Sequence, residues 1–166
     1  MKNNKTTLIV EQLAAGLLQD QKRLTVAESC TGGWIAKVLT DLAGSSAWFE
    51  RGFVTYSNEA KQEMLGVMAS TLESQGAVSE KVVAEMALGA LKNSHADISL
   101  SVSGIAGPGG GSEDKPVGLV WFAWCNGLSD DNKSVLVSEQ KIFRGNREAI
   151  REQAVEHALI GLSKVL

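Results

Sequence analysis

Histidine is nearly missing from this chain: His95 and His157 are the only two in 166 residues. Each falls in an expected helix or at its end, and neither belongs to a metal-ligand motif, so no metal site is expected. The same scarcity argues against a Ser-His-Asp triad; a serine hydrolase built on this sequence would need lysine or tyrosine as its base. Cysteine is equally sparse. Cys30 and Cys125 lie far apart, make no metal spacing, and suggest a reducing compartment without a disulfide framework. Positive charge is not in excess either: 16 Lys and Arg against 19 Asp and Glu give a net charge of -3 and a pI near 5.4. That balance argues against a nucleic-acid backbone as the main ligand, while leaving room for a small phosphorylated ligand that needs only a few local donors. No stretch approaches the ~18 apolar residues of a membrane span. Lys2 and Lys5 before Leu8-Ile9-Val10 faintly resemble a signal peptide, but Glu11, Gln12 and Asp20 interrupt the run, and Leu8, Leu13, Leu17 and Leu18 suit an amphipathic helix. The expectation is a cytoplasmic protein with neither membrane nor nucleic acid as partner.

What remains is an ordinary globular composition, 44% hydrophobic and 21% charged, long enough for one domain over residues 1–166 with a real core. An opening helix over Thr6 to Asp20 leads to a short strand, Leu24 to Ala27. A second helix carries Ile35, Val38, Leu39 and Leu42 at helical spacing and ends near Gly44. Ala47 to Tyr56 is β-rich, with a bend or bulge marked by Glu50-Arg51-Gly52. Ser57 caps a short helix to about Leu65. Gly66 to Val78 is loop-like, with room for a helical turn over Ser70 to Ser74. Ser79 caps a helix burying Val82, Val83, Met86, Ala87, Ala90 and Leu91. Asp97 to Ser103 alternates like a strand. Val117 to Cys125 reads as a central buried strand, Asn126 to Lys133 as a turn, and Ser134 to Phe143 as an antiparallel partner. Asn146 caps a last helix running nearly to Leu166. This order predicts an α/β fold: a three-layer α/β/α sandwich around a mixed, mostly parallel sheet of about five strands.

The chain is organised around Ala27-Glu28-Ser29-Cys30-Thr31-Gly32-Gly33, where the first strand turns into a helix. Helix N-termini leave backbone N–H groups unpaired and favour negative charge, so a hydroxyl or thiol there stands beside a site for an oxyanion or phosphate. The alternative is that Ser29 or Thr31 merely caps the helix. Tyr56-Ser57-Asn58-Glu59-Ala60-Lys61 places a tyrosine at a strand end and a lysine one turn into a helix. Alone, these two read as core packing and a solvated charge. Gly104 to Gly111 is the densest glycine run and can present several N–H groups, yet it matches neither a Walker nor a dinucleotide pattern. Ser29, Tyr56 and the Gly104 loop each follow an expected strand, so one crevice gathers them if those strands run parallel. Arg144 and Arg147 could hold a phosphate or decorate the last helix.

Three ordered motifs together are far more specific than any one. Ala27 to Gly33, Tyr56 to Lys61, and Ser103-Gly104-Ile105-Ala106-Gly107-Pro108 with Lys115-Pro116-Val117-Gly118 resemble the CinA C-terminal-domain family over about Leu24 to the final helix. The resemblance implies hydrolysis of the carboxamide of nicotinamide mononucleotide to nicotinic acid mononucleotide and ammonia, without a metal or other cofactor. It puts Ser29 on the nucleophile, and Tyr56 and Lys61 on its activating groups. Thr31, Gly32, Gly33, Gly104, Ile105, Gly107 and Arg147 are then expected around the substrate, with the Thr31 and Gly32 N–H groups facing the oxyanion and Arg147 facing the phosphate. Cys30 is expected to pack behind the turn. A homodimer is left open, as is the rival reading of a non-catalytic pyridine-nucleotide-binding or competence/damage-associated interaction module.

Overall fold

The computed structural model describes residues 4–127 and 135–166. Its five strands are β1 (Leu24–Glu28), β2 (Phe49–Val54), β3 (Ile98–Gly104), β4 (Leu119–Asn126) and β5 (Val135–Ile142), arranged in the order β2-β1-β3-β4-β5. β1 pairs parallel with both β2 and β3, while β4 is antiparallel to β3 and to β5. Four strands therefore point the same way and β4 alone is reversed, giving the mixed sheet expected. Much of the turn expected over Asn126 to Lys133 lies outside the described residues.

Helices cover both faces. α1 (Asn4–Gln19), α2 (Trp34–Thr40) and α6 (Arg147–Gly161) bury Leu13, Leu17, Ile35, Leu39, Ala154 and Leu159 against Leu24, Val26, Leu100, Phe122 and Trp124. α3 (Asn58–Leu65), α4 (Ala69–Gln75) and α5 (Glu80–Lys92) cover the other face, where Val83, Met86 and Ala87 meet Ala27, Ala123 and Cys125. The stretch read mainly as loop thus holds a two-turn helix, α4, which no side chain caps at its start. The bulge is real: Leu24 pairs with Phe49 but Thr25 with Arg51, so Glu50 is skipped.

β3 alternates as expected, but its polar residues do not face water. Ser99 and Ser101 are fully buried and donate to the carbonyls of Ala87 and Val83 on α5, at 2.8 and 2.6 Å, and Ser103 donates to Ala77 at 2.9 Å. A hydroxyl that bonds a helix carbonyl avoids the cost of an unmet buried polar group and lets α5 sit close. Close approach is also why Gly161 is glycine: a Cβ there would lie 2.0 Å from the Trp124 ring.

Candidate active site

The carboxyl ends of β1, β2 and β3 lie side by side, and the sheet's hydrogen bonding continues past them. Ser29 N–H donates to the Val102 carbonyl at 3.0 Å, and Thr55 N–H to the Glu28 carbonyl at 2.8 Å. Ser29 and Thr55 are therefore held nearly as firmly as the strands. α3 begins three residues after Thr55, with Ser57 Oγ accepting from the Ala60 N–H at 3.0 Å. Side chains on a helix slant toward its N-terminus, so Lys61, in the first turn of α3, is thrown back over the strand ends.

Lys61 is only 1% exposed. Its Nζ lies 2.9 Å from Ser29 Oγ, 2.8 Å from the Thr55 carbonyl and 3.5 Å from the Tyr56 carbonyl. Among the described residues it forms no ion pair. Burial without a counter-charge pushes its pKa below the ordinary lysine value. Nζ is placed to donate to Ser29 Oγ and to both carbonyls, which an ammonium can do with its three N–H bonds. A neutral amine in the same place keeps two N–H bonds for the Thr55 and Tyr56 carbonyls and turns its lone pair to the Ser29 hydroxyl. This is the arrangement in which an amine can take a serine proton.

The neighbouring thiol is buried too, and desolvation shifts it the opposite way. Cys30 is buried, and its pKa is pushed up to about 12, chiefly by desolvation and further by the charge of Glu28. It carries no thiolate near neutral pH, so a thiol mechanism gains no support from its surroundings.

Neither Ser29 nor Thr31 caps α2. That work falls to Glu28, a fully buried residue whose carboxylate accepts from the N–H groups of Gly33 (3.0 Å), Ile35 (3.1 Å) and Ala36 (2.8 Å) and from Thr31 Oγ1 (2.6 Å). The positive end of α2 is thus already matched by a carboxylate. Gly32 N–H is engaged too, donating to the Ser29 carbonyl at 3.1 Å, so the oxyanion donor pair expected at Thr31 and Gly32 is reduced. The Thr31 N–H has no partner among the described residues. Gly32 and Gly33 take φ of +58° and +96°, which explains the glycine pair in the turn.

Around this centre lie the other expected residues. Gly104 and Ile105 are tied to β4, with Ile105 N–H donating to Leu119 at 2.9 Å and its carbonyl accepting from Gly118. A Cβ on Gly104 would lie 2.6 Å from Val120. Gly107 presents its carbonyl to Arg147 Nη1 at 2.8 Å, and Arg147 Nη2 donates to the Tyr56 hydroxyl at 3.0 Å. Tyr56 is 62% exposed, so it touches Lys61 through its carbonyl while its ring reaches outward to Arg147. A cavity of about 890 Å³ lies elsewhere: Thr31, Gly32, Gly33, Trp34 and Arg151 line it together with α1. It reaches neither Ser29 nor Lys61, and reactive chemistry locates the site better than volume does. Two groups escaped the sequence reading, Glu28 and Arg151, whose guanidinium bonds the Cys30 and Thr31 carbonyls.

The CinA C-terminal-domain model matches residues 6–166. The chain belongs to that family. Among its relatives, the nicotinamide-nucleotide amidohydrolase PncC of Escherichia coli K12 is 54% identical over 159 residues, covering 96% of this chain and 93% of that protein. PncC of Pseudomonas putida is 48% identical over 156 residues, 94% of each. The crystal structure of the competence/damage inducible protein CihA from Agrobacterium tumefaciens superposes with a TM-score of 0.90 at 41% identity, covering 96% of this chain and 94% of that one. The CinA fold therefore accounts for the whole layered arrangement, with the Ser29–Lys61 pair at its strand ends.

Proposed function

We infer that this chain is a nicotinamide-nucleotide amidohydrolase, using Ser29 as nucleophile and Lys61 as its base. The observation that carries the mechanism is the 2.9 Å approach of the buried Lys61 amine, without an ion-pair partner among the described residues, to the Ser29 hydroxyl. Near-identical length and 54% identity to a nicotinamide-nucleotide amidohydrolase supply the substrate.

Ser29 Oγ attacks the carboxamide carbon as its proton passes to Lys61 Nζ. The C=O bond opens to an oxyanion whose donor is the unpartnered N–H of the buried Thr31; one such donor is worth roughly 3 kcal/mol in the transition state. Protonated Lys61 then gives its proton to the departing nitrogen. The C–N bond breaks, ammonia leaves, and the acyl group stays on Ser29 as an ester. Water, deprotonated by Lys61, releases the carboxylate and restores the serine. The pyridinium of the substrate lies close to this exchange, and its positive charge further disfavours protonated Lys61. Arg147 still has guanidinium N–H bonds beyond the two used by Gly107 and Tyr56, and these meet the phosphate. Tyr56 then serves through two contacts, its carbonyl on Lys61 and its hydroxyl on Arg147, rather than as the base. Two unpaired, buried cysteines fit a cytoplasmic setting.

The test is ammonia release from nicotinamide mononucleotide by purified protein with chelator present. Wild type and Cys30→Ala release ammonia at similar rates, and Ser29→Ala, still folded, does not. Binding of the nucleotide by wild type without ammonia release would favour the non-catalytic binding module instead.

A further inference from the structure

Two arginines four residues apart on one face of α6 reach different loops. Arg147 goes to Gly107 and Tyr56. Arg151 goes to the turn that follows Ser29: its Nε donates to the Cys30 carbonyl at 3.0 Å and its Nη2 to the Thr31 carbonyl at 3.0 Å. The half-buried guanidinium is braced on its other side by Trp34, whose ring centroid lies 5.3 Å from the guanidinium carbon.

A fork laid on two successive carbonyls fixes two successive peptide planes. In a trans peptide the N–H points opposite to the C=O of the same plane. The plane whose carbonyl is Cys30 carries the N–H of Thr31, so drawing that carbonyl toward α6 turns the Thr31 N–H away from α6. The next plane carries the N–H of Gly32, which is already spent on the Ser29 carbonyl. Of these two amides, that of Thr31, a fully buried residue, is the one without a partner among the described residues. The Thr31 carbonyl also accepts from the Trp34 N–H at 3.1 Å, and the Glu28 carboxylate holds the Thr31 hydroxyl and the Gly33 N–H, but among the described residues the Cys30 carbonyl has Arg151 as its one partner. A flip of the Cys30–Thr31 plane would exchange a donor for a carbonyl oxygen, the wrong end of the dipole for an oxyanion.

We propose that Arg151 is a positioning residue for the amide hydrolysis: by gripping the Cys30 and Thr31 carbonyls it keeps the Thr31 N–H aimed at the oxyanion formed on Ser29. The guanidinium also polarises the peptide it holds, which strengthens the N–H as a donor. Arg151 itself touches no reacting atom. This role rests on the amidohydrolase reading and deepens it.

The experiment uses the full chain with Arg151→Met, which keeps an apolar stem and removes the fork, and Arg151→Lys, whose single ammonium can serve one carbonyl well. Three quantities are read: kcat and KM for nicotinamide mononucleotide, thermal unfolding, and affinity for a boronic acid replacing the carboxamide, which adds Ser29 Oγ to become a tetrahedral anion. In Arg151→Met the expected result is a fall in kcat of about 10²-fold, the scale of losing one oxyanion donor. KM stays within about threefold, boronate affinity falls in parallel with kcat, and Arg151→Lys lies between. A variant with wild-type kcat, or one whose loss is confined to KM with boronate affinity unchanged, overturns the proposal and leaves the amidohydrolase reading intact. If Arg151→Met fails to fold, Arg151→Lys decides by the same split. A wild type that releases no ammonia removes both.

Discussion

Lys61 and Lys164 end in the same ammonium group, and the chain gives them opposite surroundings. Lys164 lies on the rim of the β4–β5 side, where its Nζ pairs with Glu139 beside Lys141 and His157 and sits 4.8 Å from the Trp124 ring centroid. Its side chain is 39% exposed. The Lys164 contact leads a set of cations that draw the Glu139 carboxyl below its usual range, and burial draws His157 down despite that carboxylate. Lys61, at the strand ends, is buried among carbonyls with no carboxylate of the described residues bonded to it. Exposed charges in contact give little stability, because water already solvates them. Burying an amine without a counter-charge costs stability, and the chain does so where a neutral amine beside a hydroxyl is useful.

Breaking the buried side of this comparison should have the largest effect. Lys61→Arg keeps the charge but cannot give up its proton near neutral pH, so turnover of nicotinamide mononucleotide should fall by at least about 10³-fold in an ammonia-release assay. Lys61→Met reads the cost of burial separately. In the folded chain the lysine pKa lies below the ordinary ~10.4 of the unfolded one. Between those two values the unfolded state binds more protons, so stability rises with pH across that window. Wild type should therefore gain stability relative to Lys61→Met as urea melts are moved from neutral pH toward the ordinary lysine value. A constant gap would show that burial does not penalise the charged form.

Glu28 sharpens the comparison with the opposite sign: a buried ion satisfied on every side. Glu28→Gln places an amide group against backbone N–H donors and removes the charge that strengthens the remaining bonds. The expected loss is about 2–4 kcal/mol in denaturant melts, with kcat falling as the turn loosens. The smallest effect belongs to the rim. Glu139→Ala should cost less than about 1 kcal/mol and leave kcat unchanged, which the same melts and assay will show.

The sequence made one half of this site legible and hid the other. Ser29, Tyr56 and the Gly104 loop could be gathered because each follows a strand, and parallel strands bring their carboxyl ends together. Lys61 was visible because Ser57 announces a helix start, which fixes the direction of a side chain one turn later. Glu28 was not legible as a cap: its position inside β1 gives no sign that its carboxylate serves amides up to eight residues on. Arg151 lies 121 residues from Cys30, a contact that exists only through the packing of α6. The serines of β3 followed the expected alternation, yet hydrogen bonding to α5 buries a face that polarity alone assigns to water. α4 lacked a capping side chain and so gave a weak start signal.

The central claim is that Lys61 is neutral when Ser29 acts, and titration of its side chain tests this most directly. Nitrogen NMR of the Lys61 amine, followed from neutral to alkaline pH in the full chain, should give a pKa below ~10.4, lower still with a non-hydrolysable pyridinium analogue bound. The kcat/KM for nicotinamide mononucleotide should rise with pH around the pKa of the free protein. A Lys61 that titrates at or above the ordinary value, or whose pKa does not fall when the pyridinium binds, would contradict the account.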